Sequence, residues 1–382
     1  MFKTTLTEQK ILYIQYTNPG GYPPLEHSSR ILAEEGWQVL FLGTGAFGAS
    51  DLCFPPHPNI TVQLMPFCSA GWQQKLHYLQ FCFWVLIWTL RWQPQWVYAS
   101  DLLSCPISIL LSFFNTKIIY HEHDSPNATS DSFFIRFCLK NRKWLAKKAK
   151  ICIIPNEQRI DRFKKVIGDR QNIFCVWNCP SKEEVCQSIQ ADNSNELWVW
   201  YHGSIVPVQL PPTILSALAI LPDRVKLRVV GYETVGHPNY VKQLQQIACE
   251  MGISERIEYI GTLPTREKLL ESCQKCNIGI ALFPKDSLQP MPGASNKPFE
   301  YLASGLPLLV SDLPDWKQMY VDTGYGLACN PDDPESIAAS LKWYLEHPAE
   351  RQKMGDRGRQ RIWNEWNYEQ QFMQVRDQIC YF

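Results

Sequence analysis

The sequence predicts an α/β protein made of two doubly wound parallel-sheet domains in tandem. Three observations predict it. The chain has 382 residues, about twice an ordinary domain. Short apolar runs alternate with helical periodicity from end to end, the pattern of βαβ units around a parallel sheet. The alternation breaks once, over the polar stretch Asn178 to Glu196, and then restarts. That stretch carries Asn178-Cys179-Pro180-Ser181 and Asp192-Asn193-Ser194-Asn195 and reads as an interdomain linker.

In the first half the expected strands are Ile11–Tyr16, Gln38–Leu42, Ile60–Met65, Trp96–Ala99, Lys117–Tyr120, Ile151–Ile154 and Asn172–Trp177. Helical patterns fall at Leu25–Glu35, Gln73–Arg91, Leu102–Phe113 and Phe133–Ala149. In the second half the strands are Leu197–Tyr201, Lys226–Val230, Ile257–Ile260, Ile278–Phe283, Leu308–Val310 and Gly326–Cys329. Helices are expected at Pro212–Ile220, Pro238–Met251, Arg266–Cys273 and Lys297–Ser304, with three more starting near Asp333, Pro348 and Tyr368. Open α/β sheets bind ligands beyond the C-terminal ends of their strands, so two such domains would direct those ends at a shared cleft.

Composition narrows the class. Lys plus Arg is 37 and Asp plus Glu is 37, a formal charge of zero that argues against a general nucleic-acid binder. The total conceals an asymmetry. Residues 1–190 hold 19 basic and 14 acidic side chains, and the remainder 18 and 23, giving +5 and −5. Met1 to Lys10 is polar and lacks the apolar stretch of a signal peptide. The longest apolar run, Phe81 to Trp88, is far short of the roughly 20 residues of a spanning helix. Fourteen cysteines are scattered, and Cys273 and Cys276 form the single Cys-x-x-Cys, read as two buried thiols on one helix. A reducing cytoplasm is the expectation.

The richest stretch for chemistry is Pro292 to Asp312. A small-residue loop, Gly293-Ala294-Ser295-Asn296, enters a helix with Pro298 near its start, and Gly305 stops it. Free N–H groups and the positive dipole end at such a start suit a diphosphate. Glu300, about one turn inside, can accept hydrogen bonds from both hydroxyls of a ribose. An ordinary strand–loop–helix connection with a surface glutamate is the plain alternative.

Lys297-Pro-Phe-Glu-Tyr-Leu-Ala-Ser-Gly-Leu-Pro-Leu-Leu-Val resembles the donor-nucleotide motif of glycosyltransferase family four, retaining enzymes of the GT-B fold. Other segments match in order. Tyr201-His-Gly-Ser-Ile-Val-Pro resembles the loop after the first strand of that family's C-terminal domain. Val229-Val-Gly resembles its second strand end, and Ile260-Gly-Thr-Leu-Pro-Thr-Arg-Glu-Lys-Leu the segment that reads the nucleotide base. Asn18-Pro-Gly-Gly-Tyr resembles the acceptor-side glycine loop, Tyr120-His-Glu-His-Asp124 the strand-end His-Asp, and Trp366-Asn-Tyr the start of the last helix, which crosses back to the first domain.

The resemblance implies two Rossmann-like domains facing a cleft. Residues 1–185 with 366–382 would form the acceptor domain, and 186–365 the nucleotide-sugar domain. It implies no metal and no cofactor, with a UDP-, GDP- or ADP-sugar as co-substrate and a glycan or lipid-linked acceptor. It places Gly203, Ser204, Gly231, Thr262, Leu263, Ser295, Lys297 and Glu300 at the donor, and Gly20 and Gly21 on the acceptor side. His123, with Asp124 orienting it, would contact the transferred sugar or the incoming acceptor.

Three departures bear on activity. The family's motif has two glutamates separated by seven residues, and its first falls on Pro292. The usual Arg and Lys beside the glycine matched by Gly203 are Ser204 and Gln209 here. Lys297 is then the nearby cation left to neutralise a diphosphate. A non-catalytic homologue acting as a partner in a glycan assembly complex, and a sugar-nucleotide epimerase, stay open. So do a metal site and a structural role for the run His121-Glu122-His123-Asp124. His121 and His123 share one side of an extended segment. His202 is a second candidate contact.

Phe133 to Lys150 holds seven Lys or Arg and no acid. Phe133, Phe137, Trp144 and Leu145 are expected on one face with bases on the other, an arrangement that can lie on an anionic membrane. The protein would then be peripheral on the inner face of that membrane. A half-buried helix with a solvated basic face is the alternative. The aromatic Leu76–Trp92 helix is read as core packing.

Overall fold

The computed structural model describes residues 8–48, 51–124, 126, 132–169, 172–187, 195–284 and 292–381. The chain forms two compact units. One comprises residues 1–46, 54–177 and 371–382, and the other residues 47–53 and 178–370. The sequence places the boundaries at 185/186 and 365/366.

The first unit is built on seven strands: β1 (Lys10–Gln15), β2 (Gln38–Thr44), β3 (Ile60–Met65), β4 (Trp96–Ser100), β5 (Lys117–His121), β6 (Ile151–Ile154) and β7 (Ile173–Cys175). They form one sheet in the order β3-β2-β1-β4-β5-β6-β7, every pairing parallel. The helices are α1 (Pro23–Glu34), α2 (Trp72–Trp92), α3 (Asp101–Leu111), α4 (Phe133–Lys148) and α5 (Glu157–Ile167). Helices cover both sides of such a sheet, so Ile11 to Ile14 of β1 are all fully buried. Phe81 and Val85 of α2, Cys105 and Ile109 of α3, Leu145 of α4 and Phe163 of α5 pack in one cluster with Leu12, Ile14, Val97 and Ala99. These four helices therefore cover the same face of the sheet.

The second unit holds β8 (Leu197–Ile205), β9 (Val225–Glu233), β10 (Ile257–Gly261), β11 (Ile278–Ala281), β12 (Leu308–Ser311) and β13 (Gly326–Cys329), in the order β10-β9-β8-β11-β12-β13 and again all parallel. Its helices are α6 (Thr213–Ile220), α7 (Tyr240–Glu250), α8 (Arg266–Cys273), α9 (Asn296–Ala303), the short α10 (Pro314–Trp316), α11 (Pro334–Glu346) and α12 (Pro348–Asn364). The terminal helix, α13 (Tyr368–Tyr381), starts in this unit and ends in the first. Leu197, Val199 and Tyr201 of β8 pack with Ile214 and Leu218 of α6 and Leu341 of α11. The alternate residues, Trp200 and His202, take the opposite face.

Four expectations change. Residues 157–167 form α5, which the strand-by-strand reading passes over. Its signal is present in the sequence: Asn156 caps it by accepting from the Arg159 N–H, and Arg159, Phe163 and Ile167 recur at a helical spacing of four. The start of the expected linker is integral to the second unit, with Cys179 buried and a 3-10 turn over Lys182–Glu184; Asp192, Asn193 and Ser194 lie outside the described residues. Cys273 ends α8, and Cys276 is buried beyond it, so the two thiols do not share a helix. On α4, Leu145 turns into the core, whereas Phe133, Phe137 and Trp144 stand exposed beside the bases and not opposite them.

Candidate functional site

In the second unit the ends of β8, β9 and β10 and the start of α9 meet. Gly203 and Gly231 are register partners. Both have positive φ, +110° and +146°, and a Cβ on Gly231 would stand 1.9 Å from the Gly203 carbonyl oxygen. Two bare backbones therefore lie against each other, an approach that only glycine permits. The Ser204 carbonyl accepts from the Tyr201 hydroxyl at 2.5 Å. Thr262, just past β10, places its hydroxyl 3.5 Å from the Gly231 carbonyl, and Leu263 follows it half-buried. Ser295 is the extended residue that starts α9. The preceding loop is pinned by Asn178, whose side-chain amide donates to the Ala294 carbonyl at 2.6 Å and whose N–H donates to the Gly293 carbonyl at 2.8 Å.

Lys297 reaches from the first turn of α9 to the β8 end. Its Nζ donates to Gln209 Oε1 at 2.7 Å, and a Cβ on Gly203 would lie 2.9 Å from its Cε. A lysine from another element thus sits beside the two positions, Ser204 and Gln209, that carry no cation of their own. Burial pushes its ammonium down to about 8, with Glu300 opposing the shift.

Glu300 is 1% exposed. Its Oε2 accepts from His202 Nε2 at 2.6 Å. Its Oε1 accepts from Arg266 Nη1 at 2.7 Å and from Asn296 Nδ2 at 2.9 Å. Burial would raise this carboxyl, but Arg266, His202 and Asn296 outweigh it and hold it well below the usual range. Arg266 also donates to Glu184 Oε1 at 2.5 Å, so it lies between two carboxylates. The His202 tautomer follows from its partners. The indole Nε1 of Trp200, a donor only, points at His202 Nδ1 at 2.8 Å. Nδ1 must accept, so the proton is on Nε2 and is given to Glu300. Burial lowers the His202 pKa, against the pull of Glu300, and the ring is neutral at pH 7.

The sequence assigns a contact to Lys297, Glu300 and His202 but gives no such role to Arg266, Asn296 or Glu184. Arg266 opens α8 and Glu184 lies in the linker, so no spacing joins them to Glu300. Only Asn296, one turn before Glu300 on the same helix, was within reach of a helical-spacing argument.

In the first unit, His123 and the Gly20–Gly21 turn lie past the ends of β5 and β1. The turn is a 3-10 element, Pro19–Gly21, capped by Asn18 Oδ1 on the Gly20 N–H at 2.9 Å. The next residue, Tyr22, brings its ring within 5.3 Å of the His123 ring. The rings of His121 and His123 are 3.8 Å apart, so the two do share a side. His121 is fully buried and meets the Tyr98 hydroxyl at 2.6 Å through Nδ1. Glu122 leaves on the other side for Arg142, at 2.5 and 2.8 Å. Its commitment to that arginine takes the carboxylate away from the two histidines.

His123 Nε2 meets Ser100 Oγ at 3.0 Å. Burial, with Arg159 nearby, pushes its pKa down to about 3. Asp124 is exposed, and the described contacts give it none with the His123 ring. The carboxylate that fixes this loop is Asp101, which accepts from the His123 N–H at 2.9 Å. Asp101 has φ of +61° where α3 begins, a conformation uncommon outside glycine. Burial and the neighbouring Asp124 push its carboxyl up to about 7. Arg159 closes the loop from α5, donating to the His123 carbonyl at 2.6 Å.

Residues 184–361 match the family model described as glycosyl transferases group 1. No curated protein matches the sequence. Solved structures resemble it over nearly its whole length. HepE from Anabaena, in complex with UDP and glucose, is 17% identical with a TM-score of 0.75, covering 98% of this chain and 100% of its own. Sucrose-phosphate synthase from Thermosynechococcus elongatus is 16% identical with a TM-score of 0.74, over 98% and 99%. WaaG, a glycosyltransferase involved in lipopolysaccharide biosynthesis, is 14% identical with a TM-score of 0.68, over 96% and 98%. With two all-parallel sheets and these likenesses, the chain has the GT-B fold, and its second unit carries the glycosyl transferases group 1 match.

Proposed function

We propose that the protein transfers a sugar from a nucleotide-sugar to a glycan or lipid-linked acceptor, with retention of configuration. The observation that carries this reading is the Lys297 ammonium seated against Gly203 and Gln209 at the start of α9. There it supplies, from one side chain, the charge that Ser204 and Gln209 do not. A leaving diphosphate at that helix start would meet the ammonium and the free N–H groups of α9 together. Gly231, Thr262 and Leu263 stand where the nucleoside would lie. The complex of HepE with UDP and glucose makes UDP-sugars the first donors to test.

Glu300 has three donors on a carboxylate with about four acceptor positions. Contact with both ribose hydroxyls therefore requires one donor to yield. Asn296 is neutral and, among the described residues, has no second side-chain partner, and in this reading it turns aside. On the acceptor side Gly20, Gly21 and His123 contact the incoming group. His123 is neutral throughout the physiological range, which suits a hydrogen-bonding contact more than a proton carrier. Asp101, in place of Asp124, positions it.

The absence of cations at Ser204 and Gln209 favours one second reading, a non-catalytic homologue in a glycan assembly complex. Thermal-shift titration with UDP-, GDP- and ADP-sugars separates the two. A donor at 100-fold its dissociation constant adds about 2.7 kcal/mol of stability. No stabilisation by any of them would overturn the transfer reading, and turnover of a bound donor without acceptor would favour an epimerase.

A further inference from the structure

We infer that the outward face of the α2–α3–α4 layer in the first unit is a docking surface for an anionic lipid bilayer. The inference stands apart from the nucleotide-sugar reading, because it uses none of the same residues.

The sequence suggests that α2 is a core helix. Only Tyr78, Phe81, Val85 and Thr89 of it are buried. Trp72, Leu76, Leu79, Phe83 and Leu90 stand exposed, with Trp72 at 72% and Phe83 at 65%. Their spacing of four, three, four and seven residues draws one stripe along 21 residues of helix. Singly exposed apolar residues need no explanation, but a continuous stripe does. On α4, Phe133 and Trp144 are 79% and 58% exposed, and Phe137 stands between them. The end of α3 adds Leu110, and Phe113 and Phe114 follow it.

Charge selects the occupant. The exposed face of α4 carries Arg136, Lys140, Lys143, Lys147 and Lys148, and α2 adds Lys75 and Arg91. Neither helix contains an acid. Lys148 Nζ lies 3.9 Å from the centre of the Phe113 ring, and Lys140 Nζ 5.8 Å from that of Trp144. Aromatic and cationic groups are thus interleaved, as an interface between anionic headgroups and acyl chains requires. A second copy of the same face would bring like charges together, which opposes self-association. No described helix is long and apolar enough to cross a membrane, so α2 would lie in the interface and not span it.

The test is co-sedimentation of the full chain with vesicles of phosphatidylcholine alone or of equimolar phosphatidylcholine and phosphatidylglycerol. The chain should pellet with the anionic vesicles only, and less as salt is raised. Lys143→Ala with Lys147→Ala should weaken partitioning about 30-fold, the effect of two near-surface charges. Trp72→Ser with Phe83→Ser should weaken it at unchanged circular dichroism and leave the salt dependence in place. Equal pelleting with both lipids, no pelleting with either, or folded variants that pellet like the parent would overturn the inference. A dimer in gel filtration that Phe83→Ser dissociates, without vesicle binding, would assign the face to self-association instead.

Discussion

Glu300→Gln tests the buried network through its hydrogen-bond polarity. Three donors converge on Glu300: His202 Nε2, Arg266 Nη1 and Asn296 Nδ2. A carboxylate offers two oxygens to them, whereas an amide offers one. If the glutamine oxygen faces Arg266 and Asn296, its NH2 faces the His202 N–H. Reversing the amide sets NH2 against the other two donors. Switching the His202 tautomer only moves the conflict to Trp200, whose indole must donate to Nδ1. One buried donor is therefore left unsatisfied in every arrangement, a cost of about 1–3 kcal/mol.

The substitution also removes one charge from the Arg266–Glu300 pair. Breaking a buried pair costs about 3–5 kcal/mol, and Arg266 keeps Glu184, which places the loss at the low end. The two effects share atoms and do not add. The expected loss is about 3 kcal/mol, or roughly a 6–12 °C lower melting temperature for a domain of this size. Differential scanning calorimetry of the ligand-free chain reads it directly. Nitrogen chemical shifts should show His202 protonated on Nε2 in the parent. A loss below about 1 kcal/mol, or an Nδ1 proton on His202, would refute the reasoning.

Other outcomes follow from single contacts. Lys297 titrates near 8, and only its charged form attracts a diphosphate, so calorimetric affinity for UDP should be full at neutral pH and fall as pH rises through about 8; Lys297→Arg should hold affinity level across that range. Gly231→Ala should cost at least about 2–3 kcal/mol by denaturant unfolding, since a Cβ would overlap the Gly203 carbonyl at a positive φ. The Asp101 carboxyl is raised to about 7 from near 4, so the folded state binds its proton more tightly. Its contribution to stability is then complete below pH about 4 and lost as pH rises to about 7. Asp101→Asn should remove that slope in urea titrations while preserving the acceptor for the His123 N–H. A slope unchanged in Asp101→Asn would refute the assignment.

Local pattern and tertiary contact contributed differently to what is known of this chain. The alternation of apolar runs and helical periodicity located the thirteen described strands within a few residues, most firmly the central ones such as β1, β4 and β12, because a strand buried on both faces has to be apolar throughout. The Gly293–Gly305 segment announced its loop, helix and stop through residues whose backbone preferences are local. The sequence alone also separated the charges of the two halves and located the basic run at 133–150. It could not say which way α2 and α4 face. A helix of aromatic residues looks the same whether its stripe meets a core or water, so Leu79 and Phe83 read as packing until the sheet took up Phe81 and Val85. Nor could it join Glu184, Arg266 and Glu300, or place Asp101 beneath His123. Those contacts bring together residues from separate elements, across 22 to 82 positions. Side-chain spacing along one element carries no information about them. Parallel topology does, because it delivers every strand end, and every loop that follows one, to the same edge of its sheet.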